Sequence, residues 1–419
     1  MPEDAPLTLA DVPTIDLTDE PFRTNPAAAF DAVRQKTWII QTVRGYEVLD
    51  YDIAQQMCVD PRFDSIGPDY YRNLGASEQV MWYATQASLP MIGGERHDRI
   101  RRALQRGFTR RRIDSLRPQM RSVATRLIDA LADRDPFDLV ADFSTIYPLE
   151  VLCALMGVPA QDIDRFGAWT IDLGLLARFP LEPHMVRIDA AITGLREYFR
   201  ELVARRHRQP GEDFVSTLIA AQKETGRLTE DELHGALLNL LFAGQDTTRY
   251  QFGWVVQLLL QHEEWERLDA APDRVPCAIE EAMRLEPTLH ILLRKVVTDV
   301  EYCGLVLPAG TLMAVNTYAA NRDPAAFPDP NRFDVMRANA HRHLGFGHGG
   351  HLCLGHGLAR TEMAEALTLF VERLPGLQLA GEPGGVTGFS SMTGAECIPL
   401  VNRQQRQDRP IEAPSCPRR

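Results

Sequence analysis

Residues 346–356 read FGHGGHLCLGH and place three histidines and one cysteine, His348, His351, Cys353 and His356, in the spacing H-x2-H-x-C-x2-H. Two chemistries suit this stretch. Nitrogen and sulfur donors so close together could build a tetrahedral zinc site. Alternatively only the Cys353 sulfur is a ligand, and the glycines let the backbone approach a large flat cofactor whose metal the thiolate meets. The rest of the chain has to decide between them.

Downstream, Leu354–Leu374 carries a helical pattern that Pro375-Gly376 ends. Upstream, residues 288–345 read as short strands and loops, whereas Arg96–Leu285 is dominated by helical patterns, among them Met120–Leu131 and Ala191–His207. The best-marked helix begins at a capping box, Thr229-Glu230-Asp231-Glu232, with Leu228 and Leu233 as its hydrophobic staple, and meets no proline before Pro272. Run to Gln261 it spans nearly 50 Å (about 1.5 Å per residue), enough to cross a domain. It is largely apolar yet holds Gly244-Gln245-Asp246-Thr247-Thr248 at its centre, where an acid and two hydroxyls need partners and a threonine can bend the helix. Residues 38–49 read as a hairpin and Tyr51–Val59 as a short helix, followed from Asp64 to Gly94 by a long aperiodic loop of the kind that is usually functional. The expected fold class is mainly α with a small β region.

The 419-residue chain shows no internal repeat or long linker, so residues 21–403 are expected to form a single domain, with a flexible N-terminus over 1–20 and a disordered tail over 404–419. No apolar run reaches the roughly 18–20 residues of a membrane span, and no signal-peptide pattern opens the chain. Seven scattered cysteines without a CxxC fit reduced thiols, and a cytoplasmic protein is expected. A net charge of −12 argues against nucleic-acid binding. Residues 96–112 run against that trend, with eight arginines and one aspartate.

Together these pieces resemble one family. Phe346, Gly349, Cys353 and Gly355 match the haem-binding pattern F-x-x-G-x-x-x-C-x-G of the cytochrome P-450 haem-thiolate monooxygenases. Ala243-Gly244-Gln245-Asp246-Thr247-Thr248 resembles the family's oxygen-activating motif, and Glu281-x-x-Arg284 its E-x-x-R pair, with Arg332 of FPDPNRF as the third member of that buried network. His97-x-x-x-Arg101, Arg294 and His351 fall where the family places groups on the haem propionates. The resemblance runs from Trp38 to Leu400 in order.

It implies a single-domain triangular helical prism, with haem b held between the long central helix and the helix after the Cys loop. Cys353 is then the axial iron ligand, and Gly347, Gly349, Gly350 and Gly355 give backbone access. A thiol just before a helix N-terminus is favoured as thiolate, which also supports sulfur over zinc and leaves His348 and His356 as non-ligands. Asp246 and Thr247 are the expected proton-delivery pair in O2 activation, and Ala243 and Gly244 the residues against the haem. The soluble bacterial members act with an acidic ferredoxin and its reductase, drawing on NAD(P)H. Arg99, Arg102 and Arg106 are expected to face that ferredoxin, and a monomer is expected.

The family's substrate-contact regions correspond to Tyr71, Trp82, Leu89 and Met91 of the long loop, to Leu240, to Leu289, Ile291 and Leu292, and to Met392 with its neighbours Ser391 and Thr393. Mostly apolar walls imply an apolar small molecule. A terpenoid, polyketide or aromatic secondary metabolite fits, with hydroxylation the commonest outcome and epoxidation, coupling or dealkylation as alternatives. The rival classes are a peroxide-driven haem enzyme and a non-catalytic haem protein. The Asp246–Thr247 pair argues against both.

Overall fold

A computed structural model describes residues 7–403 except 87, 133, 135, 179, 226–227 and 386–391. The expected tail 404–419, the first six residues and Ser391 lie outside the described residues. The central helix, Glu230–Gln261, has the expected length and start. Thr229 Oγ1 accepts the Glu232 amide at 3.1 Å, and a Glu232 carboxylate oxygen accepts the Thr229 amide at 3.0 Å, so two of the amides left over at a helix start are satisfied. Three acids in its first turn complement the helix dipole. The helix is continuous through Thr247.

Around this axis pack the helices Glu78–Gln86, Tyr147–Met156, Ile163–Gly174, Met185–Arg208 and Val275–Leu285. The helix after the cysteine, His356–Arg373, lies mainly on Arg110–Ala132 and Val275–Leu285. Their apolar faces merge into one large buried cluster that includes Phe143, Phe166, Phe199, Leu237 and Phe370. A mixed five-stranded sheet forms the second core, in the order Ile39–Thr42, Gly45–Val48, Leu312–Asn316, Ile291–Val296, Phe63–Asp64. The 38–49 hairpin pairs Ile39 with Val48 and turns at Gly45, whose φ of +116° suits glycine.

Two expectations need correction. Leu7–Asp19 is not loose: Leu7 bridges Leu305, Leu9–Asp11 forms a 3-10 turn, and Val12 and Leu17 are buried. The 64–94 stretch contains the helices Asp69–Asn73 and Glu78–Gln86 and a 3-10 turn at Leu89–Met91. Val80, Tyr83 and Ala84 bury one face of the second helix at i, i+3, i+4 spacing, a pattern too short to stand out from the aromatic residues around it. Cys58, Cys153, Cys277, Cys303 and Cys353 are free thiols, whereas Cys397 is disulfide-bonded, a departure from the all-thiol expectation.

Candidate functional site

The Cys loop is shaped by its glycines and by the helix it enters. Gly349 has φ +69°, and a Cβ there would stand 2.5 Å from the Cys58 carbonyl oxygen, so only glycine lets the loop pass this close to the segment after Tyr51–Met57. Gly347 is likewise left-handed, with φ +74°. The Cys353 amide donates to the Phe346 carbonyl at 2.8 Å, closing the loop, and the Phe346 ring lies under the Arg360 guanidinium at 4.4 Å. The Gly355 and His356 amides donate to the Cys353 sulfur. Although Cys353 is exposed at the loop surface, desolvation by the chain around it outweighs those donors and the Arg101 and Arg360 charges, and holds the thiol above its ordinary range in the chain alone. This corrects the expectation that the helix start by itself favours thiolate; coordination to iron is what would remove the proton. No group of three or more histidine, cysteine or acidic side chains among the described residues could hold a metal ion, which removes the zinc reading. His356 instead shares its Nδ1 with Arg360 Nη1 at 3.1 Å.

Four side chains expected near the cofactor converge beside this loop. His97 and Arg101 lie on the helix Gly94–Gln105, His351 in the Cys loop and Arg294 on the strand Ile291–Val296. His97 and His351 stack at 4.0 Å, and Arg101 Nη2 donates to the Leu352 carbonyl at 2.6 Å. His97 is buried, with Nδ1 3.0 Å from Asp98 and Nε2 lacking any partner. Arg294 is buried and donates to the Leu293 carbonyl at 2.8 Å. Burial works against the charge on both Arg101 and Arg294, and His351 is pushed down to about 4 by burial, then by Arg294 and His97. Two desolvated guanidiniums beside an imidazole whose Nε2 lacks a partner suit a dianionic ligand edge such as the two propionates of haem, to which Nε2 would donate from the doubly protonated ring.

The central helix carries the other expected site residues. Its segment 232–238 is entirely buried, but Asn239, Leu240, Gly244 and Thr247 are half-buried and Ala243 is exposed. At 100° per residue these five share one face. A large flat group could lie against Ala243 and Gly244 there, as haem would. Thr247 donates its hydroxyl to the Ala243 carbonyl at 2.6 Å, so toward that face it offers lone pairs. Asp246 is buried beside it, with Oδ1 3.1 Å from Arg249 Nη2. Burial raises its pKa, opposed by Arg249 and Arg178. A Cβ on Gly174 would collide with this carboxylate, so the close approach of the helix Ile163–Gly174 depends on glycine. Gln245 points elsewhere, donating to the Thr145 carbonyl at 3.2 Å.

The E-x-x-R pair is fully buried and bidentate, with Arg284 Nε and Nη2 at 2.7 and 2.8 Å from the Glu281 carboxylate. The second guanidinium on Glu281, and so the third member of the network, belongs to Arg337, at 3.0 Å, and not to the expected Arg332. The Arg332 residue is exposed and offers only its carbonyl, to Arg284 and Arg337. Both arginines sit in the same irregular segment, five residues apart, and only the folded path of that segment decides which one turns inward.

Among the expected substrate contacts, Tyr71, Leu89, Ile291 and Met392 are buried. Trp82, Met91, Leu240, Leu289 and Leu292 keep some exposure. Trp82 stacks under the Arg196 guanidinium at 3.9 Å, and Leu289 bridges Met392. Sequence reading missed Tyr83, whose hydroxyl donates to Asn239 Oδ1 at 3.0 Å. The available signal was the recurrence of Asn239, Ala243 and Thr247 every four residues.

The family model described as cytochrome P-450 matches residues 169–268 and 275–375. The chain is 40% identical to the mycinamicin IV hydroxylase/epoxidase of Micromonospora griseorubida, covering 79% of this chain and 82% of that protein. It is 33% identical to the cytochrome P-450 monooxygenase PikC of Streptomyces venezuelae, covering 96% and 97%. The structure superimposes with a TM-score of 0.82 and 30% identity on the enzyme CxnD for C–S bond formation in chuangxinmycin biosynthesis, covering 93% of this chain and 97% of that one. Among the described residues no helix is long and apolar enough to cross a membrane. Likeness over nearly the whole length makes this chain a member of the cytochrome P-450 family and a haem monooxygenase.

Proposed function

We propose that the protein inserts one oxygen atom from O2 into a mostly apolar small molecule of secondary metabolism, most simply as a hydroxylation. The observation that carries this reading is the single helix face on which Ala243, Gly244 and Thr247 open, with the buried Asp246 one residue away. When bound, haem would supply the oxidising chemistry, with Cys353 as its ligand and His97, Arg101, Arg294 and His351 on its propionates. Thr247, its own proton committed to Ala243, holds a proton-bearing water by accepting from it. Asp246, raised toward neutrality by burial and tethered by Arg249, hands protons inward from the side where Arg178 is partly exposed. Glu281, Arg284 and Arg337 are structural, because a carboxylate held by two guanidiniums is not poised as a base.

Electrons would come from NAD(P)H through a reductase and an acidic ferredoxin. Of the arginines expected to meet it, Arg99 is committed to the buried Glu232 at 2.7 Å and Arg106 to Glu224 at 2.6 Å. Arg102 donates to the Asp98 carbonyl and is the better docking residue. Hydroxylation accords with the naming of the mycinamicin IV relative, and the C–S bond formation named for CxnD keeps coupling chemistry as the second reading.

The test is a reduced, carbon-monoxide-bound spectrum followed by turnover. The wild type should show the red-shifted Soret band of thiolate ligation; Cys353→Ala should lose it while His348→Ala and His356→Ala keep it. Turnover should need ferredoxin and reductase, and full activity with peroxide alone would replace the monooxygenase reading.

A further inference from the structure

The face of the central helix that opens at Ala243 and Thr247 begins with a polar group that the mechanism above does not use. Asn239 follows seven consecutive buried positions and is itself half-buried. Its Oδ1 accepts the hydroxyl of Tyr83, on the helix Glu78–Gln86, at 3.0 Å. Tyr83 is 1% exposed, and its ring lies edge-on to Phe242 at 5.9 Å. Because Tyr83 donates to Asn239, the carboxamide presents Oδ1 to the tyrosine and its Nδ2 hydrogens away from it. Burial keeps the phenol protonated, as a donor must be. The Asn239 nitrogen is not among the enclosed polar atoms that lack a partner, so it borders open space.

Asn239, Ala243 and Thr247 repeat at intervals of four and so share one face of the helix. Leu240, beside it on the same helix face, is apolar and half-buried. A single oriented donor in an apolar pocket is what gives such a site its directional specificity. Eight residues separate Asn239 from Thr247, about 12 Å along the axis.

We infer that Asn239, oriented by Tyr83, is a specificity-determining hydrogen-bond donor, and that the substrate is an apolar skeleton carrying an acceptor oxygen roughly 10–12 Å from the oxidised carbon. This rests on the monooxygenase reading and deepens it. Asn239 binds the oxygen directly; Tyr83 acts only as a positioning residue, by fixing which end of the amide faces the pocket.

The experiment uses the haem-loaded enzyme and matched probes that differ by one oxygen: dodecan-2-one against dodecane, and 5α-androstane-3,17-dione against 5α-androstan-17-one. Dissociation constants are read from the Soret shift and, independently, by calorimetry. The expected result is that the wild type binds the more oxygenated member of at least one pair about fivefold to tenfold more tightly, as one net hydrogen bond gives. Asn239→Leu should abolish that ratio while leaving the less oxygenated partner's affinity within twofold. Tyr83→Phe should reduce the ratio without moving that partner, an effect that a merely structural role would not produce. Asn239→Asp, which replaces the donor with an acceptor, should abolish it too. A wild type that shows the thiolate spectrum but no preference in either pair, including one that binds none of the probes, overturns the inference alone. So does a ratio that survives Asn239→Leu. Loss of the thiolate spectrum in the wild type would instead overturn the reading on which it rests.

Discussion

The imidazoles of His97 and His351 stand 4.0 Å apart, tilted by 35°, although one belongs to the arginine-rich helix and the other to the cysteine loop. The contact ties that helix to the loop, and the Arg101 bond to the Leu352 carbonyl reinforces it. His97 Nε2 is buried there without a partner.

His97→Phe keeps a ring in contact with His351 and removes the nitrogen from which the doubly protonated ring would donate. Haem transfer from the variant to apomyoglobin should be about ten times faster than from the wild type, since a hydrogen bond to a charged group contributes roughly 1.5–3 kcal/mol. An unchanged transfer rate would remove His97 from the propionate set.

Proton delivery separates Thr247 from Asp246. Thr247→Ala leaves the walls of the site intact, so NAD(P)H consumption should continue while product per NAD(P)H falls and hydrogen peroxide rises to match. Asp246→Asn should slow the whole cycle, by about 10²-fold if it serves as general acid–base relay. Product and peroxide are quantified together with a substrate found by Soret-shift screening. Full coupling in Thr247→Ala would mean that a substrate hydroxyl takes its place or that the mechanism is wrong.

Arg337 and Arg332 give a stability contrast. Arg337→Ala leaves Glu281 half-compensated and takes donors from the Pro328, Asp329 and Arg332 carbonyls, so it should cost about 2–4 kcal/mol. Arg332→Ala should stay within about 0.5 kcal/mol. Urea denaturation followed by tryptophan fluorescence decides, and equal effects would contradict the assignment.

Glu232 makes stability depend on acid pH. Burial alone would raise its pKa, but the Arg99, Thr229 and Arg96 hydrogen bonds outweigh it and bring it down to about 2 from an ordinary 4.5. A depressed carboxyl stabilises the fold above its unfolded value and loses that contribution as pH falls through the folded one. Glu232→Gln should therefore cost about 2–3 kcal/mol at pH 7, and the difference from wild type should shrink as pH drops below about 4.5 toward 2. A difference that is flat with pH would show that the cost comes from the lost cap alone.

Electron delivery tests the basic surface. Arg102→Glu should slow ferredoxin-dependent reduction roughly tenfold at low salt, with the gap narrowing as salt is added. Substrate affinity should not change. Arg99→Glu should instead lower stability, because it sets a second carboxylate against the buried Glu232 and leaves it only the Arg96 guanidinium.

The sequence by itself determined what is encoded within a few residues. The cap at Thr229 and Glu232, the unbroken helix to Gln261, the hairpin about Gly45 and the helix following Cys353 all follow from local hydrogen-bond chemistry and side-chain period. The short helix Glu78–Gln86 was legible in principle but lay hidden among aromatic residues. Tertiary structure alone decided the rest. Whether Arg332 or Arg337 reaches Glu281 depends on the path of a loop without periodicity, and the meeting of Tyr83 with Asn239 depends on how two helices pack. The Cys353 thiol is raised because desolvation reflects every neighbour at once, while the helix dipole that sequence reveals is only one of the opposing contributions.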